Sequence, residues 1–159
     1  MKYILTVFYL FIAVTMFSQE VEVIGVNELK DELNRQADSV YVVNFWATWC
    51  KPCTEEMPDL LKLEKEFSSD NMILTLISLD LPSMIDTRLE EFINNYNITV
   101  RVLLLDDPDA NRWIPMVDES WSGSIPATLI YAPGKNYRNF HEGIITYAGL
   151  KQEIQHLIK

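Results

Sequence analysis

The only two cysteines in the chain stand three positions apart, Cys50-Lys51-Pro52-Cys53, directly after the run Tyr41-Val42-Val43-Asn44-Phe45-Trp46. That run is rich in β-branched and aromatic residues, as a buried strand is. The stretch behind the cysteines places Met57, Leu60, Leu61 and Phe67 along one side of a helix that reaches about Ser68. A strand feeding a Cys-x-x-Cys that opens a helix constrains this chain more than any other feature. Two Cα atoms three apart in a helical turn lie about 5 Å from each other, a separation that a disulfide accepts. As a staple the bond is weak. Closing so small a loop gives roughly 2 kcal/mol, against about 5 for a loop of about 100 residues. A reversible redox centre fits the spacing better, with a structural or metal-binding pair as the alternative.

Cys50 is expected at the N-terminus of the helix, where unpaired N–H groups and the helix dipole stabilise a thiolate. Lys51 adds a positive charge, and Pro52 is tolerated in a first turn. Both effects lower the thiol pKa. The lower pKa enlarges the thiolate fraction but reduces its nucleophilicity, so the net gain in attack is only about threefold. A better leaving group at Cys50 and the setting of the reduction potential matter more. Cys53, deeper in the helix, is the natural resolving thiol.

The remaining elements follow from pattern. Asn27 precedes Glu28–Leu33 and is expected to cap a first helix that carries Val26, Leu29 and Leu33 on one side. Met72–Leu79 and Val100–Leu105 read as apolar strands, and Leu89, Phe92, Ile93 and Tyr96 stripe the helix between them. A short helix is predicted over Ala110–Met116. Ala127–Ala132 and Tyr137–His141 flank Pro133-Gly134-Lys135-Asn136 as a hairpin. Thr146 is predicted to cap a final helix carrying Leu150, Ile154, Leu157 and Ile158. This order gives an α/β fold: a three-layer sandwich with a mixed central sheet and helices on both faces.

The first residues form a separate unit. Lys2 is followed by an apolar run from Tyr3 to Phe17, and polarity returns at Ser18-Gln19-Glu20. A basic start, an apolar stretch and a small residue are the parts of a secretory signal peptide. As a helix the run would span roughly 22 Å, short of the ~30 Å hydrocarbon core. Residues 1–18 are therefore expected to be a signal peptide, or a membrane anchor if they stay uncleaved, ahead of a domain over residues 19–159. No cysteine adjoins the boundary, so lipidation at an N-terminal Cys is excluded. The formal net charge of −10 argues against a nucleic-acid partner.

Trp46-Ala47-Thr48-Trp49-Cys50-Lys51-Pro52-Cys53 resembles the active-site segment of the thioredoxin superfamily. The longer W-C-x-x-C-x-x-E-x-P pattern, over Trp49, Cys50, Cys53, Glu56 and Pro58, is similar to its exported TlpA/ResA-like branch. The resemblance implies a thioredoxin-like fold and a thiol–disulfide oxidoreductase that uses no cofactor. It implies reduction of exported, periplasmic client proteins, with electrons from an upstream thiol donor that can be membrane-bound. It assigns Cys50 and Cys53 as the redox-active disulfide. Glu56 becomes a carboxylate beside them that influences their ionisation; for a bare helical Glu, a solvated charge like Glu55 would be the default. Thioredoxin itself carries a buried Asp where this chain has Asn44, so a proton-accepting role there would have to pass to Glu56 or to water. The resemblance also makes Pro126 a cis-proline beside the disulfide and turns the Ile125 backbone toward an extended substrate strand. Trp49 is expected to shield the disulfide, Trp46 to lie in the core, and Pro58 to kink the helix.

Two other functions stay open. A peroxide reductase of related fold is weaker, because peroxiredoxins do not carry an adjacent Cys-x-x-Cys of this kind. A copper carrier using the Cys pair would want a third soft ligand, and His141 and His156 are singletons without partner spacing. No metal site is expected. Some of the aromatic area of Trp113, Trp121 and Trp49 is expected to border the active site and contact a client, against the alternative that Trp113 and Trp121 cap the end of the sheet.

Overall fold

The computed structural model describes residues 21–158, so the expected signal segment over residues 1–18 lies outside the described residues. Six strands form one sheet: β1 (Glu22–Ile24), β2 (Val40–Trp46), β3 (Met72–Ser78), β4 (Arg101–Leu105), β5 (Ala127–Ala132) and β6 (Tyr137–Glu142). Their order is β1-β4-β3-β2-β5-β6. β1 to β4 run parallel, while β5 pairs antiparallel with both β2 and β6. β2 is central, and every one of its residues is buried. That explains why the run is apolar at every position but Asn44, since a strand covered on both faces has no solvent side to make polar.

The helices are α1 (Val26–Glu32), α2 (Lys51–Phe67), α3 (Glu90–Asn95), α4 (Ala110–Val117) and α5 (Tyr147–Ile158). Met57, Leu60 and Leu63 of α2 join Ile93 of α3 and Leu150 and Ile154 of α5 in one apolar cluster. Leu29 and Leu33 of the α1 segment, with Trp113 and Val117 of α4, build the other. Alternate residues of β2 feed the two clusters: Val42 and Trp46 the first, Tyr41, Val43 and Phe45 the second. The three-layer α/β sandwich expected from the pattern is the observed architecture.

Several details differ from the sequence reading. The N-cap of α1 is Gly25, with Asn27 inside the helix. Glu28 Oε2 reaches back to accept the Gly25 N–H at 3.0 Å, so the capping comes from the first turn. Strand β1 was not predicted, and a turn of π-helix over Ile85–Leu89 leads into α3. Thr146 does cap α5: its Oγ1 accepts the Gly149 N–H at 3.3 Å. The β5–β6 connection is a 3-10 turn over Pro133–Lys135, and Asn136 closes it in the left-handed region at φ 49°.

Trp113 and Trp121 are buried at 6% and 5% exposure. Their ring centroids lie 5.5 Å apart, and Trp121 packs 4.9 Å from Phe45. They pack against Phe45 and each other and present little area to a client, so of the three tryptophans Trp49 is the one with exposed area beside the Cys pair. Tertiary packing puts them there: α4 brings Trp113 to Phe45, and Trp121, beyond the helix, packs on the same ring. Trp46 is fully buried, as expected.

Candidate active site

β2 delivers the chain to the site. Trp46 is its last residue, and the Trp46 carbonyl accepts the Leu79 N–H at 2.8 Å, which ties the ends of β2 and β3 together. The backbone then turns, with Cys50 N–H donating to Ala47 O at 3.1 Å. Cys50 is the N-cap of α2, in extended conformation, and its Sγ accepts the Cys53 N–H at 3.3 Å. A sulfur thus fills the position a serine or aspartate oxygen usually takes at a helix start. Cys50 and Cys53 are joined as a disulfide with Cα atoms 5.3 Å apart. Cys50 is 5% exposed and Cys53 1%, so in the oxidised state Cys50 is the more accessible residue by a narrow margin.

The Ile125–Pro126 peptide is cis. Cys50 Sγ lies 3.6 Å from Ile125 O, across a sequence separation of 75 residues. The segment before Pro126 is fixed from two sides: Trp121 Nε1 donates to Ser124 O at 2.8 Å, and Glu142 Oε1 accepts the Ser124 N–H at 3.2 Å. Trp49 stands 58% exposed immediately before Cys50. The Lys51 side chain extends into solvent and meets Glu55 at 3.7 Å. α2 continues through Pro58 without interruption.

Glu56 is 3% exposed, unlike its solvated neighbour Glu55. Its Oε1 accepts the Ile145 N–H at 2.9 Å, and Asn44 Nδ2 donates to its Oε2 over a long 3.4 Å. Asn44 also donates to Thr128 Oγ1 at 2.9 Å, its cross-strand partner on β5. Burial pushes the Glu56 carboxyl above its ordinary value. The Ile145 N–H and the Asn44 amide oppose that shift, Asp59 adds to it, and His141 opposes it. Where thioredoxin has an acid, this chain places an amide that donates toward a buried acid on the neighbouring helix. Such a carboxyl can hold or release a proton close to the dithiol.

His141 pairs with Thr128 across β5 and β6, and its Nε2 lies 2.8 Å from Glu153 Oε2. It is engaged by Glu153 of α5 and by Asn139 of its own strand. Among the described residues no group of three His, Cys, Asp or Glu is placed to hold a metal ion.

Asp80, which the sequence reading passed over, is also part of the site. It is 2% exposed, and its Oδ2 accepts the Thr48 N–H at 3.0 Å while its Oδ1 accepts the Thr48 hydroxyl at 2.7 Å. The available signal was an acid closing the apolar strand, Ile77-Ser78-Leu79-Asp80, opposite a threonine beside the Cys pair.

Comparison with known proteins agrees with this geometry. Thioredoxin-like protein YneN of Bacillus subtilis is 27% identical over 125 residues, covering 79% of this chain and 69% of the relative. Thiol-disulfide oxidoreductase ResA of Oceanobacillus iheyensis is 30% identical over 105 residues, covering 66% of this chain and only half of the relative. A thioredoxin-related protein from Neisseria meningitidis serogroup B superposes with a TM-score of 0.64 at 24% identity, covering 76% of this chain and 86% of that one. The thioredoxin-like fold implied by the Cys-x-x-Cys segment is therefore shared with solved structures. The AhpC/TSA family model matches residues 18–138, well over half of the sequence, and the chain belongs to the AhpC/TSA family.

Proposed function

We propose that this protein is a thiol–disulfide oxidoreductase that reduces disulfides of client proteins through a Cys50–Cys53 dithiol/disulfide cycle. The observation that carries the reading is Cys50 at the N-cap of α2, bonded to Cys53 and facing the Ile125 carbonyl. In the reduced protein the Cys50 thiolate attacks one sulfur of a client disulfide. A mixed disulfide forms, and the client's other sulfur leaves as a thiolate and takes up a proton. The Cys53 thiol, giving up its proton, attacks Cys50 Sγ, forms the Cys50–Cys53 bond and releases the second client thiol. Two electrons pass from the dithiol to the client, and an upstream thiol donor must return them. In this reading Glu56 exchanges the Cys53 proton; its burial one turn past Cys53 supports that role. Ile125 and Pro126 offer the backbone against which an extended client segment docks, and Trp49 offers apolar surface beside it.

The relatives named thiol-disulfide oxidoreductases support this chemistry. Family membership alone leaves a peroxide as the alternative oxidant. A partner thiol one helical turn from Cys50 favours exchange with disulfides. The Lys2 start and the apolar Tyr3–Phe17 run support export to a periplasmic compartment, with residues 1–18 as signal or anchor.

The test is stoichiometric. Reduced protein mixed with an excess of a disulfide-bonded client should reduce one client disulfide per chain and recover the Cys50–Cys53 bond. Hydrogen peroxide at the same concentration should oxidise the pair more slowly; faster oxidation by peroxide would move the function to the alternative.

A further inference from the structure

We propose that Asp80 is a positioning residue for the Cys50 thiol, clamping Thr48 so that the turn leading to Cys50 holds its sulfur at the start of α2. The proposal rests on the disulfide-exchange reading and extends it to a residue outside the Cys-x-x-Cys segment.

Three donors converge on this one carboxylate: the Thr48 N–H, the Thr48 hydroxyl and, at 2.8 Å, the Ser78 hydroxyl. Asp80 N–H in turn donates to Ser78 Oγ at 3.0 Å. A carboxylate this deeply buried is costly unless hydrogen-bonded, and these are charge-assisted bonds. They are spent on the backbone and side chain of a residue two positions before the nucleophile.

The turn has few other restraints. Trp46 O is fixed by Leu79 N–H, Thr48 by Asp80, and Cys50 N–H by Ala47 O. Removing the middle restraint leaves Thr48 and Trp49 held by the local turn alone, while Cys50 keeps the disulfide and its bonds to α2, from Thr54 N–H to Cys50 O at 3.1 Å and from Cys53 N–H to Cys50 Sγ. Once the disulfide is reduced, the Thr54 N–H still holds the Cys50 carbonyl, and the turn before it sets where Cys50 Sγ lies relative to the Cys53 N–H and Ile125 O. A thiolate that drifts from the helix start loses the N–H and dipole stabilisation that lowers its pKa. The clamp therefore matters most in the reduced state, where the reaction starts.

The experiment follows Cys50 alkylation by iodoacetamide against pH in the reduced full-length protein, read by peptide mass spectrometry. Thr48→Val keeps the backbone bond to Asp80 and loses the hydroxyl bond. It should move the alkylation midpoint to higher pH and slow labelling at pH 6.5 by about fivefold. Thr48→Ser restores a hydroxyl donor and should stay within about twofold of wild type. Asp80→Ala should exceed the effect of Thr48→Val; if it fails to fold, the two Thr48 variants decide. A folded Thr48→Val protein with the wild-type alkylation profile overturns the proposal and leaves Asp80 a structural residue at the end of β3. Because the readout needs no client, a wild type that cannot exchange disulfides defeats the functional reading separately from the clamp.

Discussion

Glu56 Oε1 accepts the backbone N–H of Ile145 at 2.9 Å, which joins the active-site helix to the loop ahead of α5 across 89 residues of sequence. The bond satisfies a carboxyl that lies on the buried side of α2 with Cys53, Met57 and Leu60, whereas its neighbour Glu55 is exposed.

Glu56→Gln should lower the apparent pKa values of the dithiol, because a negative charge beside the thiolates is lost while the Ile145 N–H keeps an oxygen acceptor. Thiolate absorbance at 240 nm against pH measures this. An unchanged titration would leave Glu56 without influence on the sulfurs.

The same carboxyl makes a prediction for stability. Burial raises its folded-state pKa above the unfolded value, so the folded protein holds the proton more tightly. This contribution is fully present below the unfolded pKa and is lost as pH rises through the folded pKa. Relative to Glu56→Gln, the wild type should therefore lose stability from pH 4 upward. Denaturant midpoints of both proteins across pH 4–8 provide the check; a wild type that gains on the variant as pH rises contradicts the sign.

Trp113 and Trp49 should separate packing from docking. Trp113→Ala opens a cavity against Phe45 and Trp121 and should cost about 3–5 kcal/mol of stability. Its exchange rate per folded molecule should be unchanged. Trp49→Ala, at a residue 58% exposed, should cost under about 1 kcal/mol and slow exchange with a protein client. Equal exchange rates for Trp49→Ala and wild type would remove Trp49 from the client surface.

What could be read from the sequence follows the range of the interactions involved. The step from β2 through the Cys pair into α2 is local, so periodicity, the Pro52 position and the Cys spacing expose it. β1 has three residues and pairs with β4 about 80 positions later, leaving too short a stretch for alternation to register. The capping of α1 escaped because Gly25 supplies no side chain and Glu28 reaches backward to it. Glu56 shows its motif in sequence, but its burial depends on Asn44 and Ile145. Asp80 and Thr48 are 32 residues apart and meet only because β2 and β3 end side by side. The burial of Trp113 and Trp121 escaped because nothing local marks Phe45 as their partner.

The central claim is an order of attack, with Cys50 as nucleophile and Cys53 as resolving thiol. Its most direct measurement is trapping: Cys53→Ala and Cys50→Ala proteins are reduced, mixed with a disulfide-bonded client, and run on non-reducing gels after acid quenching. Cys53→Ala should accumulate a mixed disulfide through Cys50 that a reductant dissolves, and Cys50→Ala should accumulate almost none. Equal trapping by the two variants, or trapping by Cys50→Ala alone, would contradict the account.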